Sequence, residues 1–584
     1  NSIYQKDKIA NTLKKNNIIP LPIEFEKNIS KSTYSLFGPD KDEISYKKNI
    51  KMMPDKILKK YCKFFSIEEI EVKKLRLIFQ DIIGSQQLLI SARMGMWLDC
   101  HPTVKIIFID FKLNSYFVSD VNKNITKIII PFDVFEYLIK FFKGFFLLFI
   151  DSIKTVVRKR NLDNYNLDIP KDKKVAFVVH KGLYYGYTKL FDKTLYYSEN
   201  QNSYFNKYNI LHLDYSSYPC PEKKLLWVNL KKKKLLNIKI LYKTFITSIK
   251  TLYLIRNWSS FVGWFFLMQQ FKEFISYSEI LKNFKKLQIA LIDYDCLCPK
   301  TLILAFKKNN VRTIATQERF VTTFYRSYQN VMVDTYFVTS SYTADFIKKS
   351  KYYDVKNVVP VGLYRSDYIP LFKNNDPTDE ISNAKREGKK IVVILGFHST
   401  EHWVESHSNP ILNWTAQINF LEDCIKLSKN LENTYFIIRY KNLDWANNQY
   451  FEKVLNKIKK IKNLVISNNY NELYSSYKLC AHADLVLAKH TSLADECLVN
   501  DIPVLFHEYT HNMKKQVLGI PNYIPHDLIC HNFEELYEKS KRALFEDTIK
   551  LKQEIKKLKE TVYFVPEVKN IKKKIIENLE ASIN

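Results

Sequence analysis

The stretch ADLVLAKHTSLADECLVNDIPVLFHEY, residues 483–509, contains one complete structural unit. ADLVLA is an apolar run of the length of a buried strand, and IPVLFH is a second one behind a proline. The residues between them suit a helix, so the order is strand, helix, strand. That is the βαβ unit of parallel sheets, whose ligands sit beyond the carboxyl ends of the strands. Lys489, His490, Thr491 and Ser492 fill the strand-to-helix loop, and Glu496 follows a turn later. Thr491 and Ser492 would open the helix, where free backbone N–H groups and a partial positive charge receive phosphate oxygens. Lys489 and His490 add donors there, and Glu496 is placed to accept hydrogen bonds from ribose hydroxyls. Singly, these residues have plainer readings: the hydroxyls as a helix cap, His490 as a surface histidine.

The same rhythm extends outward. Upstream, KVAFVVH (174–180), QIALIDY (288–294), VRTIATQ (311–317), DTYFVTS (334–340) and NVVPVGL (357–363) read as strands between helical patterns. A second series contains IVVILGF (391–397), TYFIIRY (434–440), NLVISN (463–468), ADLVLA and IPVLFH. The fold class is therefore α/β, with two Rossmann-like parallel-sheet domains facing a cleft. The expected division is a mostly helical extension over 1–168, a first domain over 169–371, and a polar linker over 372–390. A second domain over 391–545 and a charged helical segment over 546–584 complete it. The extension has two strand-like runs, 104–111 and 125–132, and no functional reading.

Three loops of the second domain should face one rim. HSTEHW after the first strand offers His398; RYK after the second offers Arg439 and Lys441; the opening stretch supplies the third. Arg439 and Lys441 alone would be a solvated strand end. Convergence of the three loops is what points to an anion site.

Composition narrows the partners. The chain has 584 residues, more than one core can serve, and a hydrophobic fraction of 46% supports packed domains. The formal charge of +29 favours anionic partners. The basic residues are scattered, LKKKKLL at 230–236 being the one dense run, and no nucleic-acid motif accompanies them, so no nucleic-acid partner is expected. Nine cysteines include a single close pair, Cys296 and Cys298, with neither zinc nor redox spacing, which fits a reducing cytoplasm. The start of the chain shows no apolar signal-peptide core. FFKGFFLLFI (141–150) is too short to span a membrane, and Arg256 and a polar patch interrupt 251–271, which reads as a buried or interfacial helix.

The motifs add a resemblance. Thr491-Ser492, then Glu496, then Pro503 before VLF resembles the donor-binding segment of two-domain GT-B glycosyltransferases. The nearest branch is that of the CDP-glycerol glycerophosphotransferases of teichoic acid synthesis. That branch also ends its first domain on a Gly-x-x-Arg-x-Asp turn, matched here by Gly362, Arg365 and Asp367. The resemblance covers roughly residues 170 to 545. It implies a nucleotide donor on the second domain, an acceptor on the first, and a cytoplasmic site near the membrane.

Two departures are informative. Gln317, Glu318 and Arg319 stand where the branch has a His-Gly-Thr type loop, and Arg439-Tyr-Lys441 replaces a His-Pro pair. They point the donor away from glycerol phosphate and toward a sugar nucleotide, with cytidine nucleotides still open. The expected reaction is glycosyl transfer to a hydroxyl of a surface glycan or lipid-linked acceptor. Glu318 is the expected base, with His180 and His398 in reserve. Positive groups can neutralise a leaving diphosphate without a metal, and Asp293-Tyr-Asp295 reads as a coincidental match to a metal motif, so neither metal nor cofactor is expected. A basic flank would meet anionic lipid peripherally. A polyol-phosphate transferase, a sugar-nucleotide epimerase and a non-catalytic binding protein on the same fold are the alternatives.

Overall fold

The computed structural model describes residues 50, 53–86, 106–111, 125–130, 173–179, 208–216, 220, 224–230, 238–256, 258–292, 295, 298–317, 320, 331–350, 352–363, 365–374, 377–396, 414–440, 443–467, 474–489, 491–508, 523–546, 549–566 and 571–583. Helices α1 (Asp55–Cys62) and α2 (Val72–Gln86) come first, then a parallel pair, β1 (Ile106–Phe111) and β2 (Ile125–Ile130). The first lobe follows: β3 (Val175–Val179), β4 (Leu211–Asp214), β5 (Leu226–Asn229), α3 (Ile238–Thr251), α4 (Trp258–Leu281), β6 (Ile289–Ile292), α5 (Lys300–Lys308), β7 (Arg312–Thr316), β8 (Met332–Val338), α6 (Ser341–Lys349) and β9 (Asp354–Pro360). Its seven strands are parallel, in the order β5-β4-β3-β6-β7-β8-β9.

Two short helices, α7 (Tyr368–Lys373) and α8 (Asp379–Arg386), lead to the second lobe. There β10 (Lys390–Leu395), α9 (Trp414–Asn430), β11 (Thr434–Arg439), α10 (Glu452–Ile458), β12 (Leu464–Ile466), α11 (Ser475–Ala481), β13 (Leu485–Ala488), α12 (Ser492–Val499), β14 (Val504–His507), β15 (Ile529–Cys530) and α13 (Phe533–Phe545) build a sheet ordered β12-β11-β10-β13-β14-β15. Every pairing is again parallel. Helices α14 (Ile549–Thr561) and α15 (Ile571–Ile583) close the chain. The expected fold class holds, and all ten strands expected in the two domains form. Their apolar runs are long because strands covered on both faces need no polar positions.

Several details differ from expectation. The 372–390 segment is not all loop, because Ile381 and Ala384 of α8 bury against the second sheet. The N-terminal helices are a wall of the first lobe: Leu58, Tyr61, Phe65 and Phe79 share a core with Phe271 and Phe274 of α4 and Phe306 of α5. Phe65 stacks 5.4 Å from Phe274. The 251–271 segment lies largely in α4, where Trp264, Leu267, Met268 and Phe271 are buried. No described helix is long and apolar enough to cross a membrane; 141–150 lies outside the described residues.

The two lobes meet through specific residues. Phe320, from the loop after β7, is fully buried in a core formed mainly by the second lobe. Its ring lies 5.0 Å from that of Tyr523 and 5.1 Å from that of Tyr563. In the other direction, α15 returns to the first sheet, where Ile575 and Leu579 pack with Val175, Phe177, Ile289 and Leu291. The Gly-x-x-Arg-x-Asp turn seats that helix. Gly362 has φ of +110°, and a Cβ there would lie 2.7 Å from Ile571 Cδ1. Asp367 accepts a hydrogen bond from the backbone N–H of Ile571, although burial pushes its carboxyl up to about 6.

Candidate functional site

The second sheet changes direction once. The chain runs from β10 out to β12, then returns past β10 to place β13 on the other side. Such a switch point opens a crevice beyond the strand ends, here between β10 and β13. Register fixes the rim: Arg439, Leu395, Ala488 and Phe506 are level across the four central strands. Beyond Leu395 stands Gly396, where a Cβ would fall 1.4 Å from the Tyr440 ring, so only glycine admits that tyrosine.

Alternation then sends neighbouring side chains to opposite faces of the sheet. Leu395, Ala488 and Phe506 belong to the face that also packs Phe320, Leu363 and Tyr368, and α11 and α12 lie on it. Arg439 turns to that side. Its Nε donates to Ser476 Oγ at 2.9 Å and one Nη to Ser475 Oγ at 2.6 Å. Two hydroxyls thus hold a guanidinium that is only 7% exposed. Thr491 is the N-cap position of α12, but its side chain makes no capping bond. The cap explanation for this hydroxyl therefore fails.

Lys489 goes the other way, and the expectation that it joins Arg439 needs correction. Its ammonium lies 5.8 Å from the centre of the Phe420 ring of α9, on the opposite face, and the residue is 4% exposed. Burial pushes its pKa down to about 8, while the nearby Glu508 and Asp423 carboxylates act against that shift. Beside it, His507 Nε2 and Asp423 Oδ2 are 3.1 Å apart. Burial drives His507 down to about 4, so the ring is neutral at pH 7 and Nε2–H donates to the carboxylate. Lys426 also donates to Asp423, at 3.2 Å. One face of the strand ends thus carries Arg439 and the α12 N-terminus; the other carries a buried lysine amid carboxylates.

Glu496 is buried within α12, 4% exposed. Its neighbour Asp495 accepts hydrogen bonds from Tyr523 at 2.9 Å and Tyr563 at 2.6 Å, and burial raises its pKa to about 6. Asn500 ties α12 to the first-lobe turn through Ser366 O at 2.9 Å. These ties, together with Phe320, are the parts of the site region that the sequence did not reveal. A buried acid held by two tyrosines has no local signature.

Glu318, His180, His398, Lys441 and His490 lie outside the described residues. The flanks of Glu318 are nevertheless fixed. Gln317 Oε1 accepts from the Thr339 N–H and Oγ1, both at 2.9 Å, while Phe320 is buried against the second lobe. Asp295, the second acid of the Asp-Tyr-Asp run, accepts from Tyr336 at 2.5 Å and is 5% exposed, as a structural residue would be. Among the described residues no group of His, Cys, Asp and Glu side chains could hold a metal ion. A cavity at the opposite edge of the first sheet is lined by Lys74, Lys307, Lys356, Asp334 and Asp354. Its charges are paired, Lys74 to Asp354 at 2.7 Å, Lys356 to Asp334 at 2.8 Å, and Lys307 to Glu71 beside the cavity.

No family model matches the chain, and no curated protein matches it. Solved structures do. The Neisseria meningitidis UDP-GlcNAc 2-epimerase bound to UDP-GlcNAc matches at 12% identity and a TM-score of 0.40, over 70% of this chain and 100% of that one. A Staphylococcus aureus MnaA–UDP co-structure matches at 13% and 0.41, over 70% and 97%. The wall teichoic acid polymerase TagF matches at 13% and 0.39, over 75% and 99%. These neighbours are GT-B fold enzymes. At such identities the likeness concerns the fold alone.

Proposed function

We propose that this chain is a glycosyltransferase of the GT-B type, moving a sugar from a nucleotide-activated donor to a hydroxyl of a surface glycan or lipid-linked acceptor. One observation carries the reading. Arg439, fixed by two serines, and the uncapped N-terminus of α12 share the sheet face that meets the first lobe. Two positive features on one sheet face suit the phosphates of a donor. Thr491 and Ser492 offer hydroxyls beside them, and Lys441 and His490 are the further donors expected from the sequence.

In the displacement, the acceptor oxygen bonds to the anomeric carbon as that carbon's bond to the phosphate oxygen breaks. The nucleotide leaves with the electron pair, and its growing charge falls on Arg439 and the α12 N–H groups. The acceptor proton passes to a base of the first lobe, for which Glu318 is the candidate, with His180 and His398 behind it. Glu496 is the proposed ribose partner. Lys489 acts from beneath, as a positive charge on the far side of the strand ends. No metal is assigned a step. The proposed setting is the cytoplasm, at the inner face of the membrane.

The test is a thermal-shift panel of UDP-, GDP-, CDP- and CMP-linked compounds. A donor at 100 times its dissociation constant adds about 2.7 kcal/mol of stability, so one base should stand out. A flat response across all four would end the proposal. Turnover of the nucleotide sugar without any acceptor would favour the epimerase reading.

A further inference from the structure

Among the described side chains of α3, the buried ones are Ile240, Thr247, Ser248 and Thr251, mostly small and hydroxyl-bearing. Ser248 and Thr251 satisfy their hydroxyls on carbonyls of the preceding turn, and Trp264 of α4 donates to Thr251 Oγ1 at 2.8 Å. Several large apolar residues of α3 and of the short 3-10 turn that follows it (Leu252–Leu254) face solvent: Tyr242 is 64% exposed, Phe245 42%, Ile249 49%, Leu252 47% and Tyr253 64%. Their spacing of three, four and three residues places Tyr242, Phe245, Ile249 and Leu252 on one stripe. A row of large apolar side chains on the outside of a folded domain marks an interaction surface.

The segment of sequence that contains the stripe is strongly basic. Between Lys223 and Arg256 the sequence has ten basic residues and no acidic one. Lys250 and Arg256 are exposed along the stripe and at its end. Helix α1 lies alongside, with Lys60 placing its ammonium 5.6 Å from the Tyr253 ring. Lys56, Lys59 and Lys60 are exposed on α1, whose one acid, Asp55, is held by Arg76 at 2.6 Å.

We propose that the outer face of α3, with the lysines of α1, is a docking surface for an anionic lipid bilayer. The aromatic and aliphatic side chains would enter the headgroup–acyl boundary while the cations sit on lipid phosphates. A second copy of this chain would bring like charge against like charge. Nucleic acid would find phosphate partners here, but no use for Ile249 and Leu252. The inference deepens the proposed lipid-linked acceptor reading, yet its test does not depend on that reading.

The experiment uses the full chain with vesicles of phosphatidylcholine, alone or mixed with phosphatidylglycerol, read by flotation. Binding should require the anionic lipid and fall steeply at high salt. Tyr242→Ser/Phe245→Ser/Ile249→Ser should reduce it at least tenfold, and Lys250→Glu/Arg256→Glu about fivefold or more for each charge altered. Lys556→Glu/Lys573→Glu changes the charge equally at other exposed lysines and should leave binding intact. Melting curves like that of the parent chain confirm folding of each variant. Binding lost equally in the distant control, or unchanged in both stripe variants, overturns the proposal, as does capture by a DNA duplex in place of vesicles. Nucleotide-induced stabilisation reports the donor site separately, so vesicle failure with intact nucleotide binding rejects only the docking surface.

Discussion

Arg439 illustrates why residue type matters at the rim. Its planar fork spans Ser475 and Ser476 at once, a geometry that a lysine ammonium on a flexible stem does not reproduce. Arg439→Lys should weaken nucleotide binding roughly tenfold to a hundredfold, the worth of one or two charge-assisted hydrogen bonds. Calorimetric titration with the best nucleotide of the panel measures it; unchanged affinity would remove Arg439 from the phosphate site. His507 makes a different, pH-dependent prediction. Its folded pKa lies near 4, below the unfolded value of 6.5, so the unfolded chain binds the extra proton between them. The histidine's contribution is therefore complete above pH 6.5 and lost as pH falls toward 4, roughly 3 kcal/mol in all. Asp495 and Asp367, both raised to about 6, work in the opposite sense, their contribution declining as pH rises from about 4 to 6. His507→Gln should flatten the acid side of the stability profile, read as urea midpoints at pH 7 and pH 4.5.

Among the elements, α15 makes the sharpest prediction. Ile575 and Leu579 are nearly fully buried on the first sheet, so Ile575→Ala should cost about 2–5 kcal/mol by urea unfolding. A cost below 0.5 kcal/mol would mean that the helix is not seated there. This helix also shows where sequence reading stops. Runs such as IVVIL and LVLA announce β10 and β13 because a strand covered on both faces is apolar throughout. LHLD and LWVN of β4 and β5 are four residues each, with His212, Asp214 and Asn229 among them. Asn229 donates to Asp214 at 2.9 Å, a tertiary bond that no local pattern reveals. The charged periodicity of 571–583 announces a helix but not the lobe it joins. At the rim, Thr491, Ser492 and Arg439 were legible because strand ends precede them; the direction of Lys489 was not, since a single residue of register reverses a side chain.

For the whole molecule, Phe320 couples the lobes within three residues of Gln317, which anchors the first. Phe320→Ala should lower stability by about 3–5 kcal/mol. It should also reduce turnover, because Glu318 loses one of its two fixed flanks. Differential scanning calorimetry and a donor-consumption assay on the same preparation check both effects; wild-type values in each would uncouple this ring from lobe contact.

The return of α15 bears also on biogenesis. Val361, the last residue of the face that α15 covers, leaves the ribosome about two hundred positions ahead of that helix. At roughly 5–20 residues per second that interval is on the order of 10–40 seconds. During it Val175, Phe177, Ile289 and Leu291 lack the helix that covers them in the folded chain. A chain cut before Ile571 should therefore yield insoluble product.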